Sequence, residues 1–168
     1  MYSLNVPVPG RVARLASDLA PHLVGFERIR EEHTLVCKRL GSPAPGEYDH
    51  VQARAREELA GLPPFEARVT GVEAFEDPAS GPGPVVYLAV ESPGLRRAHD
   101  RLLDSFPAAE GVEGEGYVPH VTLARDADGE TVDRLLDREV DPVTWTVDEL
   151  VFWDAAHGGE AGRVRLPA

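Results

Sequence analysis

The chain has 168 residues and a mass of 18.2 kDa, a length that suits one domain and that folds without needing a disulfide or metal staple. Its 17 basic residues stand against 29 acidic ones, a formal net charge of −12. A long phosphate backbone would therefore meet a repelling field, which argues against non-specific nucleic-acid binding and leaves small phosphorylated ligands or short RNA ends in a locally basic pocket.

The hydrophobic fraction of 42% and charged fraction of 27% describe a globular protein rather than a disordered or membrane chain. The single cysteine, Cys37, closes no intrachain disulfide and suits a reducing compartment. No apolar run approaches the length of a membrane span, and the amino terminus lacks a basic region followed by an apolar stretch. A cytoplasmic location with no membrane partner is expected.

In chain order, residues 2–8 alternate as a short strand, and Val12, Leu15, Ala16 and Leu19 recur at helical spacing over 9–20 before Pro21. The β-forming run 33–40 stops at Gly41-Ser42-Pro43 and predicts a strand, with 41–46 a loop. A surface helix follows over 47–60, ended by Gly61, Pro63 and Pro64. Strands over 65–75 and 85–90 flank the loop 77–84 as a hairpin, and Ser92 before Pro93 is a candidate N-cap for a helix over 93–106. The acidic, Gly-rich stretch 110–116 leads into a strand over 117–125. A helix over 129–140, one strand over 144–153 and a pairing strand over 162–166, turned at His157-Gly158-Gly159, complete the reading.

This order belongs to an α+β protein. The halves resemble each other, each carrying a strand that begins with histidine, which implies a duplicated, pseudo-two-fold arrangement in which His33 and His120 are mates. In His120-Val121-Thr122-Leu123-Ala124-Arg125 the strand period of two puts His120 and Thr122 on one face. Two imidazoles across a shared cleft, with hydroxyls to hold a phosphate, suit in-line phosphodiester chemistry. Histidine titrates near neutrality, so one ring takes a proton while the other gives one.

In His33-Thr34-Leu35 the hydroxyl stands at +1 rather than +2. A regular strand would turn Thr34 away from His33. Three readings are open: a β-bulge near residues 32–34 restores it, Lys38 or backbone amides hold the phosphate instead, or this half is impaired. Lys38 and Arg125 each follow a histidine by five residues. They are candidate phosphate ligands, although that odd offset places them opposite the histidines unless the strands bend. Tyr117 either meets a base or phosphate or caps a core edge. His22, His50, His99 and His157 read as surface residues, Cys37 as a small core residue, and Trp145 and Trp153 as core or cleft rim. No spacing of His, Asp or Glu reads as a metal site.

The segment Tyr117-Val118-Pro119-His120-Val121-Thr122-Leu123-Ala124-Arg125, with the element order along nearly the whole chain, resembles the 2H phosphoesterase superfamily of 2′-5′ RNA ligase-like proteins and cyclic phosphodiesterases. The resemblance implies a bilobal fold whose two antiparallel sheets line a central cleft with helices outside. It also implies metal-independent chemistry, without cofactor, on 2′,3′-cyclic, ADP-ribose-derived cyclic or 2′-5′ phosphodiester bonds. On that reading His33 and His120 share acid and base work, and Thr122, Thr34, Tyr117, Arg125 and Lys38 bind substrate in a monomeric domain spanning 1–168. The rival reading is a non-catalytic module that binds a phosphorylated nucleotide or RNA end through an impaired first motif.

Overall fold

A computed structural model describes residues 1–168. Strands β1 (Tyr2–Val6), β3 (Leu35–Gly41), β8 (Glu149–Asp154) and β9 (Gly159–Arg165) form one lobe. Strands β4 (Phe65–Phe75), β5 (Val85–Glu91), β6 (His120–Arg125) and β7 (Val143–Val147) form the other. The strand order β7-β4-β5-β6-β3-β1-β8-β9 joins the two lobes into one curled antiparallel sheet. Its seam is the pair Leu35 opposite Val121. A two-residue strand, β2 (Arg28–Ile29), lies beside β6.

Helices α1 (Gly10–Leu19), α2 (Tyr48–Glu58), α3 (Pro93–Leu103) and α4 (Gly129–Leu136) keep to the expected positions. Their apolar stripes, among them Val12, Ala16 and Leu19 of α1 and Leu95, Ala98 and Leu102 of α3, enter one core with Leu4, Leu35, Leu88 and Val121 of the strands. Full burial of each such Leu or Val contributes about 1.5–3 kcal/mol. Ser92 caps α3 by accepting the Leu95 N–H at 3.1 Å, with Pro93 at the first helical position. Asp128 does the same for α4 at 2.8 Å. Gly94 lets α3 lie against β4, because a Cβ there would run into the Phe65 ring.

The run 144–153 is not one strand. It divides at Asp148 into β7, which pairs with β4, and β8, which pairs with β1. The chain thus crosses from one lobe to the other within a stretch whose β-rich composition never changes.

Strand registers reveal the internal symmetry. In β5–β6, Val85 faces Arg125, Val86 faces Ala124, Tyr87 faces Thr122 and Leu88 faces Val121. In β1–β3, Ser3 faces Arg39, Leu4 faces Lys38, Asn5 faces Val36 and Val6 faces Leu35. Each central strand carries a β-bulge at the same step, Leu123 in one and Cys37 in the other, and the two-fold axis passes through the Leu35–Val121 pair. Strand β3 therefore superposes on β6 with Leu35 on Val121, Arg39 on Arg125, Val36 on Thr122 and Thr34 on His120.

Candidate functional site

The sheet face turned away from the core is a cleft running across the seam. His120, Thr122 and Arg125 reach it from β6, Thr34, Val36 and Arg39 from the β3 segment, and Ser3, Asn5, Arg30 and Trp153 complete its first-lobe side. The loop carrying Asp77 and Ser80, with Val112 and Gly116 from the acidic stretch, closes the second-lobe end over Phe75 and His120.

His120 is held in one orientation and one tautomer. Its Nδ1 lies 2.7 Å from the Val118 carbonyl, which can only accept, so Nδ1 carries the proton and Nε2 is left with a lone pair. The ring packs edge-on against Phe75 and Tyr87, at centroid distances of 5.1 and 5.2 Å. Burial lowers its pKa from the ordinary histidine value; the Val118 hydrogen bond opposes this, and the Arg39 charge adds to it. The imidazole is thus neutral at pH 7. Burial and the nearby Glu73 push the Tyr87 hydroxyl up to about 12, so it too is uncharged.

Arg30, Arg39 and Arg125 share this cleft, a local concentration of positive charge on a chain of net charge −12. The bulges bring two of them in. An extra residue reverses the alternation, so Arg125 joins His120 and Thr122 although it stands five positions beyond His120, and Arg39 enters in the matching place. Arg125 donates from Nη1 to the Ser80 carbonyl at 3.1 Å. Its Nε is buried with no partner, a donor available to an anion. Gly81 allows the loop to pass here, because a Cβ would collide with the guanidinium.

The structure corrects the expected role of Lys38. The bulge at Cys37 turns Lys38 into the core, wholly buried, where Nζ bonds the carbonyls of Arg39 and Pro107 and the Glu113 carboxylate. It cannot touch a ligand in the cleft; Arg39, which sequence reasoning missed, is the cation there. Glu113 also accepts the backbone N–H groups of Arg39 and Ala109 at 2.8 and 2.9 Å. Burial alone would raise its pKa, but the hydrogen bonds from Lys38, Ala109 and Arg39 outweigh it and hold the carboxyl below its ordinary value.

Tyr117 belongs to the same internal network rather than to the cleft surface. It is 4% exposed, donates its hydroxyl to the Val36 carbonyl at 2.8 Å and stacks on His99 with centroids 3.9 Å apart. His99, expected at the surface, is fully buried. Its Nδ1 donates to the Cys37 carbonyl at 2.8 Å and its Nε2 accepts the Gly114 N–H at 3.0 Å, a pairing that only the neutral ring satisfies. This network fixes the approach of Val118 to His120 and backs Val36 and Arg39 from behind the sheet.

The first motif is where the site departs most from expectation. His33 precedes β3 and lines a depression with Val8, Val151 and Trp153 at the first-lobe end of the concave face, while Thr34 enters the central cleft. The bulge lies at Cys37, beyond residues 32–34, and does not carry His33 to the seam. At the position symmetric to His120 the chain has Thr34, and at the position symmetric to Thr122 it has Val36. Matching the segments on their arginines instead of their histidines is the sequence signal that would have shown this. No cluster of three or more His, Cys, Asp or Glu side chains that could hold a metal ion is present, and no helix is long and apolar enough to cross a membrane.

The fold is shared with solved proteins of the LigT type. TT0787 of Thermus thermophilus matches with a TM-score of 0.70 at 19% identity, over 98% of this chain and 97% of that one. E. coli LigT complexed with 3′-AMP matches with a TM-score of 0.69 at 17% identity, over 99% and 98% of the two chains. LigT is also solved with ATP and with NADP+. No curated protein matches the chain significantly. The family model of the 2′-5′ RNA ligase superfamily aligns with residues 39–159, a span that begins at Arg39 and takes in His120, Thr122 and Arg125, and the chain belongs to that superfamily.

Proposed function

We propose that the protein binds a small nucleotide or RNA end through a terminal or cyclic 2′/3′ phosphate, and that its one central imidazole makes it an inefficient phosphodiesterase. Arg39, Arg125 and Thr122 supply charged and neutral donors for the phosphate, with Thr34 across the seam and Arg30 at the margin. His120 presents Nε2 to the same point. The small-nucleotide complexes of LigT support this ligand class.

The observation that carries the reading is the symmetric pair Thr34/His120. In-line displacement at phosphorus needs a group to take the proton of the attacking hydroxyl or water, and another to give a proton to the leaving ribose oxygen. Neutral His120 can take the first proton. A threonine hydroxyl at the mate position can donate a hydrogen bond but holds its proton far too tightly to serve as the acid. Absence of one acid or base partner typically lowers the rate by about 10²–10⁴-fold.

A second reading keeps the protein a metal-independent phosphodiesterase or ligase-like enzyme with His33 and His120 as acid and base. It is favoured by the placement of His33 on the same concave face and by its burial-lowered pKa. The two readings separate on 2′,3′-cyclic nucleotides and 2′-5′ dinucleotides assayed with chelator present. Saturable binding with turnover that is weak and unaffected by His33→Ala is the expected result. Fast turnover abolished equally by His33→Ala and His120→Ala would establish the second reading instead.

A further inference from the structure

Past the Leu35–Val121 pair the two central strands part, and each is left with a backbone edge whose polar groups need partners. The second lobe meets this need with backbone. Strand β2 lies along β6, where the Arg30 N–H donates to the Leu123 carbonyl and the Glu27 N–H to the Asp126 carbonyl, each at 2.8 Å. The first lobe uses side chains instead. The Tyr117 hydroxyl donates to the Val36 carbonyl and His99 Nδ1 to the Cys37 carbonyl, and the Glu113 carboxylate accepts the Arg39 N–H, all at 2.8 Å. Tyr117 and Glu113 belong to the strap 107–117, which His99 also grips through the Gly114 N–H.

Glu113 holds Arg39 at two points. Its Oε1 accepts the backbone N–H and stands 3.5 Å from Nη1 of the same residue, while its Oε2 is fixed by Lys38 Nζ and by the Ala109 N–H at 2.9 Å. At the symmetric position, Arg125 rests on the neutral Ser80 carbonyl. We propose that Glu113, locked by Lys38, is a positioning residue for phosphate binding, which fixes the backbone and guanidinium of Arg39 toward the seam before a ligand arrives. This role rests on the reading of the seam as the phosphate site. Glu113 acts only through Arg39, because its side chain is wholly buried. An arginine left free would lose rotamer freedom on binding, and that loss would weaken affinity; here the ordering takes place on folding. Lys38 completes the device. An unbalanced carboxylate beside Nη1 would offset the attraction of Arg39 for phosphate, whereas the buried Lys38–Glu113 pair leaves the arginine as the net charge.

The test compares two variants that remove the ion pair without changing net charge. Lys38→Met with Glu113→Leu leaves the Arg39 N–H without its acceptor, and Lys38→Met with Glu113→Gln keeps an acceptor there. Calorimetric affinity for adenosine 3′-monophosphate is measured for each in the native, Arg39→Ala and Arg125→Ala backgrounds, with folding checked by circular dichroism. Arg39→Ala alone is expected to weaken binding roughly 10–100-fold, the range of a lost charge-assisted hydrogen bond. The Leu variant should lose roughly 5–30-fold in the native and Arg125→Ala backgrounds and less than about twofold in Arg39→Ala, the signature of a residue acting through its neighbour. The Gln variant should recover most of that loss. Glu113→Asp, which keeps the charge but shortens the reach, should show the same dependence on Arg39 and carries the comparison if the Leu variant does not fold. An undiminished loss in the Arg39→Ala background makes the strap a general scaffold and overturns the inference, as does no loss in any background. Failure of the unaltered protein to bind, or parent affinity in both Arg39→Ala and Arg125→Ala, overturns the phosphate reading itself and this inference with it.

Discussion

Rebuilding the missing imidazole tests the symmetry argument directly. The double change Thr34→His with Val36→Thr copies the His120–Thr122 arrangement onto its mate strand. Thr34 is exposed and Val36 half-buried, and Tyr117 bonds the Val36 carbonyl rather than its side chain, so the fold has room for both. Across the Leu35–Val121 pair, residues 34 and 120 are diagonal neighbours with Cα atoms about 7–8 Å apart, a span in which two imidazoles can flank one phosphate. A restored acid–base partner is worth about 10²–10⁴-fold in rate, or about 3–5 kcal/mol of barrier. The assay is hydrolysis of 2′,3′-cyclic AMP with chelator present, over a range of pH, for the double variant and for the same variant carrying His120→Ala. A gain of at least about 10²-fold, lost on adding His120→Ala, is expected. A folded double variant that binds 3′-AMP like the parent yet gains no turnover would refute the idea that an absent imidazole limits the site.

Arg125→Ala removes a charged donor with a free Nε, and charge-assisted hydrogen bonds of about 1.5–3 kcal/mol imply a roughly 10–100-fold weaker affinity for 3′-AMP by calorimetry; unchanged affinity would remove Arg125 from the site. Lys38→Met leaves the buried Glu113 carboxylate without its buried ion-pair partner and with only the half-exposed Arg39 guanidinium, 3.5 Å away, and urea unfolding should show a loss of up to about 3–5 kcal/mol; the double change with Glu113→Leu should cost less than Lys38→Met alone. Gly94→Ala drives a methyl into Phe65, and a loss of about 1–3 kcal/mol with ligand affinity intact is expected from the same measurement. Burial holds His33, His99 and His120 below the ordinary histidine value, so the unfolded chain binds their protons more readily. Their contribution is complete above about pH 6.5 and is lost as pH falls through the folded pKa values. Urea midpoints should therefore decline on acidification below that point, and His99→Gln should flatten the decline; an equal slope in that variant would contradict the assignment.

Where local chemistry decides structure, the chain announced it. Ser92 before Pro93 marks the start of α3, the 3.6-residue spacing of Val12, Ala16 and Leu19 marks the buried stripe of α1, and alternation marks β4. The second motif was legible for the same reason: His120 and Thr122 share a face by the strand period alone. The boundary at Asp148 was hidden, because which lobe a β-rich segment joins depends on its pairing partners and not on its own residues. His99 looked like a surface residue on a charged helix. Its burial depends on Tyr117, Cys37 and Gly114 arriving from distant parts of the chain.

The amino-acid sequence by itself determined the α+β class, the element order, the acidic surface and the second half of the site, all of which follow from composition and short-range periodicity. Tertiary structure decided which residues stand opposite one another across the seam. A bulge at Cys37 shifts the strand phase by one residue, placing Arg39 in the cleft and Lys38 in the core, and the pairing of Leu35 with Val121 makes Thr34 rather than His33 the symmetry mate of His120. Because side chains alternate with period two, a single inserted residue exchanges the faces of everything beyond it. Only the hydrogen-bond register between strands records where that exchange occurs.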